Sequence, residues 1–232
     1  METHIAANQK PTRELLYNDA YVRHLARLSI ANSINRPGEV KRTNELNVSL
    51  GLHDAQEISG ILDTYSDKSV VVIGSPGVGK STIAQHIAGI VDMDIMFDSM
   101  DIHLKGALLH HEYIVDESSG LRTKRTIPFR DSPAYLDSLS RTTRQLSVYA
   151  EEHFSRHVHD KVPLIGTTPI LTDKAILLKA DMDSIQRNAK ARSDTSREVD
   201  VRRTLYIHEL IEAHTYEVFD KSDVVAYSMS YE

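Results

Sequence analysis

The chain has 232 residues, 41% of them hydrophobic, with 27 basic against 33 acidic side chains and a formal net charge of -6. That length holds one large domain, or a domain with an extension, and supplies apolar surface for a buried core, while the acidic balance argues against a dedicated nucleic-acid surface. The lack of cysteine excludes a disulfide framework, a thiolate metal site and a cysteine nucleophile, and with neither a signal-peptide layout nor a membrane-length apolar run the expected location is cytoplasmic.

Residues 1–66 read as a helical extension. Leu15, Leu16, Tyr21, Leu25, Leu28 and Ile30 form an imperfect helical stripe between Arg13 and Ile34, and Pro37-Gly38 marks its end. A second, shorter helix is expected from His53 to Tyr65. These helices are read as packing against the main domain, against a second copy of the chain or against another protein.

The domain proper is expected over residues 67–232. It begins with the β-branched run Val70–Ile73, of the kind expected for a buried parallel strand. The run leads directly into Gly74-x-x-x-x-Gly79-Lys80-Ser81, spelled out by Ser75, Pro76, Gly77 and Val78 and followed by Thr82, and then into a helix expected over Ser81–Ile90. This is the pattern of a phosphate-binding loop. Glycines leave room for backbone N–H groups to converge on an anion at a helix N-terminus. Lys80 adds a point charge for the terminal phosphates, and the Ser81 hydroxyl can ligate Mg²⁺.

Met93–Phe97 is a second apolar run, ending in Asp98-Ser-Met-Asp101. Ligands of open parallel sheets sit beyond the carboxyl ends of the strands. Asp98 and Asp101 are therefore candidates to divide Mg²⁺ coordination and deprotonation of an acceptor hydroxyl between them. Two extended arms around Ser118-Ser-Gly120, between Glu112 and Phe129, indicate a β-hairpin insertion. Its basic residues Arg122, Lys124 and Arg125, with Arg130, could grip an anionic acceptor.

Ser132-Pro133 signals the start of a long helix reaching about His157. Strands are expected over Val162–Ile165, Ala175–Leu178 and Val224–Tyr227, and helices over Met182–Arg192 and Thr204–Phe219. Strands alternating with helices indicate an α/β fold with a parallel sheet of about five strands. Arg187, Lys190 and Arg192, with Arg197, Arg202 and Arg203 beyond, suit the clamping of phosphate oxygens. Metal-binding spacings are thin. His208 and His214 stand six apart, off a common helix face. His153, His157 and His159, with Asp160, read as a cationic helix C-terminus rather than a metal site.

Taken together, Gly74–Thr82, Asp98–Asp101, Val162–Thr168 and Ala175–Arg192 resemble the P-loop kinases of nucleoside monophosphates and small metabolites, a group that includes 2-phosphoglycerate kinase-like and zeta-toxin-like members. The resemblance covers roughly residues 68–230. It implies a three-layer P-loop fold, ATP or GTP with Mg²⁺ held at Lys80 and Ser81, a small-molecule acceptor at Asp98 or Asp101, and Arg187 and Arg192 on a lid. The chain departs from the group at Ile165, where an acid usually precedes the glycine, and in the five-residue spacing of the lid arginines. Two other readings accompany this one. One is an ATPase or GTPase that uses Asp116-Glu117 as its acidic pair, and the other is a nucleotide-binding scaffold that transfers nothing.

Overall fold

Four consecutive buried β-branched residues form the centre of the sheet. Strand β1 (Val70–Ile73) is buried on both faces, as a parallel strand covered by helices on each side must be. In this computed structural model, which describes residues 51–96, 111–115, 122–126, 133–192 and 201–230, β1 pairs in parallel with β5 (Leu164–Gly166) on one side. On its other side it pairs with β6 (Lys174–Lys179). The outer positions belong to β2 (Val91–Asp92), beside β5, and β7 (Val224–Ser228), beside β6. The sheet order is thus β2-β5-β1-β6-β7. Between β2 and β5 in the chain, β3 (His111–Val115) and β4 (Arg122–Thr126) form a separate antiparallel hairpin, as the sequence predicts.

Alternation along β1 sorts its side chains between two cores. Val71 and Ile73 join Leu164, Ala175 and Leu177 on one face, under Tyr149 and Phe154 of α3 (Pro133–His159) and Ile211 and Val218 of α5 (Val201–Val218). Val70 and Val72 face the other way, with Ile165, Ile176 and Leu178, under α1 (Leu52–Thr64) and Ile83 of α2 (Lys80–His86). Three layers result, and each fully buried aliphatic side chain contributes about 1.5–3 kcal/mol. The whole is a P-loop-type α/β fold, with the phosphate loop at the carboxyl end of the central strand. No helix of the described residues is long and apolar enough to cross a membrane.

Polar ties fix the helices around these cores. The Arg144 guanidinium of α3 forks onto Glu217 of α5, with Nε and Nη2 at 3.0 and 2.7 Å from the two carboxylate oxygens. Beside it, Ser147 Oγ lies 2.8 Å from His214 Nε2, and His214 Nδ1 lies 3.2 Å from Glu217. A carboxylate only accepts, so Nδ1 carries a proton toward Glu217, and Ser147 Oγ also donates to the Thr143 carbonyl at 3.3 Å. The series serine, histidine, acid has the form of a nucleophile relay. With Ser147 only 1% exposed inside the helix interface, its role is to join α3 to α5. On the opposite layer, buried Asp54 of α1 accepts from Tyr227 Oη at 2.9 Å and from the Ser230 amide at 2.8 Å. Burial, with Glu57 and Asp54 alongside, raises the Tyr227 pKa and keeps the phenol protonated. The helix expected over His53–Tyr65 is therefore packed against the sheet and tied to the end of β7.

Two local expectations are corrected. The strand expected over Met93–Phe97 lies earlier, at Val91–Asp92, and Met93–Ile95 is a turn of 3₁₀ helix. The Asp92 side chain accepts from the Asp94 amide at 2.9 Å, which ends the strand, and Met93 and Met96 turn into the core. The helix expected over Ser81–Ile90 ends at His86, because Ile87 is extended and Gly89 has a positive φ. The helix expected over Arg13–Ile34, the tip of the hairpin and Asp116-Glu117 lie outside the described residues.

Candidate active site

The phosphate loop connects β1 to α2 and is held from three directions. Gly77 and Gly79 have φ of 89° and 98°, where a β-carbon would be strained. A β-carbon on Gly74 would come within 2.5 Å of Val78, so the turn leaves no room for a side chain there. The Gly74 amide donates to the Gly166 carbonyl of β5 at 3.1 Å. Asn188 Nδ2, from α4 (Met182–Arg192), donates to the Gly77 carbonyl at 2.9 Å. From α5, His208 Nδ1 sits 2.9 Å from Ser75 Oγ. The last two contacts join residues far apart in sequence, and periodicity could not have indicated them.

Lys80 is only 5% exposed. Its ammonium donates to the Ser75 carbonyl at 3.1 Å and lies 3.6 Å from Asp94 Oδ2. Asp94 is held in turn by Thr167, whose amide and hydroxyl donate to its two oxygens at 3.0 and 3.2 Å. The acid facing the loop lysine is thus Asp94, from the turn after β2. The sequence pattern does not single it out, because the apolar run Met93–Phe97 places the strand two residues too late. The available signal was the Asp-x-Asp of Asp92 and Asp94 directly after Val91. Asp98 and Asp101 lie outside the described residues.

Ile165 is completely buried in the core beneath α1 and α2. An acid at that position would start from the apolar layer, whereas Thr167, two residues on, faces Asp94. Arg187 on α4 is exposed and donates to Ser184 Oγ at 2.8 Å. The Arg192 side chain lies outside the described residues. Asp181 caps α4, accepting from the Ser184 hydroxyl and amide at 2.6 and 2.8 Å. These bonds hold its carboxyl below the usual range.

Between the loop and the helices of the first core lies a cavity of about 350 Å³. Pro76, Gly77, Lys80, Ser81, Asp94 and Thr167 line its phosphate-loop end. Leu139, Thr143 and Leu146 of α3 and Ile207, Leu210 and Ile211 of α5 close its far walls. The α3–α5 clamp through Arg144, Ser147, His214 and Glu217 therefore sets the spacing of those walls. Among the described residues, no group of three histidine or acidic side chains is arranged to hold a metal. Among the described residues at the loop, the Ser81 hydroxyl and the Asp94 carboxylate are oxygens suited to a hard cation.

No protein-family model matches the sequence, and no curated protein matches it. Among solved structures, the chain is similar to a shikimate kinase from Bacteroides thetaiotaomicron, with 13% identity and a TM-score of 0.35 over 69% of this chain and 85% of that one. It is similar also to a gluconokinase from Sinorhizobium meliloti, with 14% identity and a TM-score of 0.32 over 71% of this chain and 83% of that one. The fold assignment stands on the strand order and the phosphate loop, independently of these distant likenesses.

Proposed function

We propose that the chain is a phosphotransferase that moves the terminal phosphoryl group of ATP or GTP onto the hydroxyl of a small acceptor. The observation that carries this reading is the Lys80–Asp94 pair, 3.6 Å apart, where the phosphate loop meets a half-open pocket. A hydrolase needs only water at that point, and a cavity of about 350 Å³ is within the range of small-molecule sites.

The residues present fit both partners of such a reaction. The glycine turn, with Gly77 and Gly79 at positive φ, suits close approach of a polyphosphate to the backbone. The Ser81 hydroxyl and Asp94 carboxylate are hard oxygen donors of the kind Mg²⁺ prefers, and Mg²⁺ held there would neutralise charge on the phosphates. Lys80 stabilises the negative charge that spreads over the transferring group. Asp94, fixed by Thr167, orients the acceptor hydroxyl and takes its proton. Roles for Asp98 and Asp101 at the acceptor, and for Arg187 and Arg192 as a phosphate clamp, belong to the same proposal and rest on the sequence resemblance.

The test is release of ADP from ATP by the purified chain, measured across a panel of acceptors. Lys80→Ala abolishes turnover, and Asp94→Asn keeps nucleotide binding while lowering kcat by about a hundredfold or more. Turnover by Lys80→Ala equal to that of the unaltered chain refutes the proposal.

A further inference from the structure

We propose that the acceptor is an alcohol with an apolar body, not an anionic metabolite; this rests on the phosphotransferase reading above and assigns its substrate class. The far walls of the cavity present Leu139, Leu146, Ile207, Leu210 and Ile211. Among the described lining residues Lys80 is the single cation, and it is already engaged with the loop carbonyl and with Asp94.

A carboxylate or phosphate on the acceptor would lose its hydration against these aliphatic side chains and gain no fork of donors from the described lining residues. An apolar ring or branched chain gains from the same walls. Burying a group of leucine size is worth roughly ten- to a hundredfold in affinity. The polar groups lining the cavity suit one hydroxyl. Thr167 anchors Asp94 through two hydrogen bonds, so the carboxylate is fixed as an acceptor at the junction of cavity and loop. Thr143 and Thr168 add neutral hydroxyls. An alcohol seated with its body between α3 and α5 presents its O–H to Asp94 beside Lys80. Its oxygen forms a bond to the terminal phosphorus of the nucleoside triphosphate as the bond from that phosphorus to the bridging oxygen breaks. The hydroxyl proton passes to Asp94, and the nucleoside diphosphate departs.

The test uses the full chain with benzyl alcohol, cyclohexylmethanol and geraniol as probes, against glycerate, phosphoglycerate and AMP. Binding is read without nucleotide by saturation-transfer NMR, and transfer is read separately with ATP radiolabelled in its terminal phosphate. The expected result is that the alcohols bind about tenfold tighter than the anions and accept label. Leu210→Gln should weaken alcohol binding about tenfold and Leu210→Ile should restore it, with the melting temperature of each variant confirming its fold. Label transferred to the anions alone overturns the apolar class and leaves the phosphotransferase reading standing. Alcohol binding that responds to Leu210, without label on any acceptor, upholds the apolar site and overturns transfer. Failure of every alcohol to bind overturns the inference.

Discussion

Replacing Glu217 by glutamine tests the clamp that positions the cavity walls. The hydrogen bond from His214, joined by the Arg144 fork, lowers the Glu217 pKa from the ordinary 4.5 to about 2. A tenfold change in proton affinity is worth about 1.4 kcal/mol, which caps the contribution at about 3.5 kcal/mol. The carboxylate is 30% exposed, and solvent screening brings the expected value nearer about 2 kcal/mol. Because the folded pKa is depressed, this stability is fully present above the unfolded value near 4.5 and is lost as pH falls through about 2. Urea unfolding of the unaltered chain and Glu217→Gln, followed from pH 7 down to pH 2, should show a difference of about 2 kcal/mol at neutrality that closes toward the acid end. In thermal unfolding the neutral-pH difference corresponds to about 4–8 °C. The reasoning is refuted if the two proteins differ equally at both ends of the range, or do not differ at all.

Two further outcomes follow from contacts outside the cavity. His208→Ala releases Ser75 from α5 and should weaken ATP binding by about five- to tenfold, the worth of one hydrogen bond that orders the loop; titration calorimetry giving an unchanged Kd would remove His208 from the support of the loop. Asp54→Ala removes the acceptor of the Ser230 amide and one of the two carboxylates at the Tyr227 hydroxyl, which keeps Glu57 at 2.9 Å, a cost of about 1–3 kcal/mol. Its melting temperature should fall by several degrees, and an unchanged value would show that α1 is not tied to the sheet through this residue.

Local rules explain why much of the fold was legible in the sequence. The strand at Val70–Ile73, the glycine turn and the helix after it are each specified within a few residues, and their order needs no distant contact. Helix α4 was read at its observed limits for the same reason: Asp181 caps it, and its apolar spacing stays regular. The second strand failed because its limits depend on a partner. Val91 pairs with Leu164 and Asp92 with Ile165, so the ladder decides where the strand stops, and the apolar Met93 and Met96 fill the core from a turn. A strand end placed a few residues later along the chain points to Asp98 and Asp101 in place of Asp94.

By itself, then, the sequence determined that a phosphate-binding loop stands at the end of a buried parallel strand within an α/β chain, because glycine geometry and hydrophobic period act over short stretches. Tertiary structure alone decided which acid meets Lys80, that His208 and Asn188 hold the loop, and that leucines and isoleucines from α3 and α5 line the space in front of it. Those contacts join Ser75 to His208, Asp94 to Thr167 and Arg144 to Glu217. Pairs so distant along the chain are brought together by sheet order and helix packing, which no local pattern encodes.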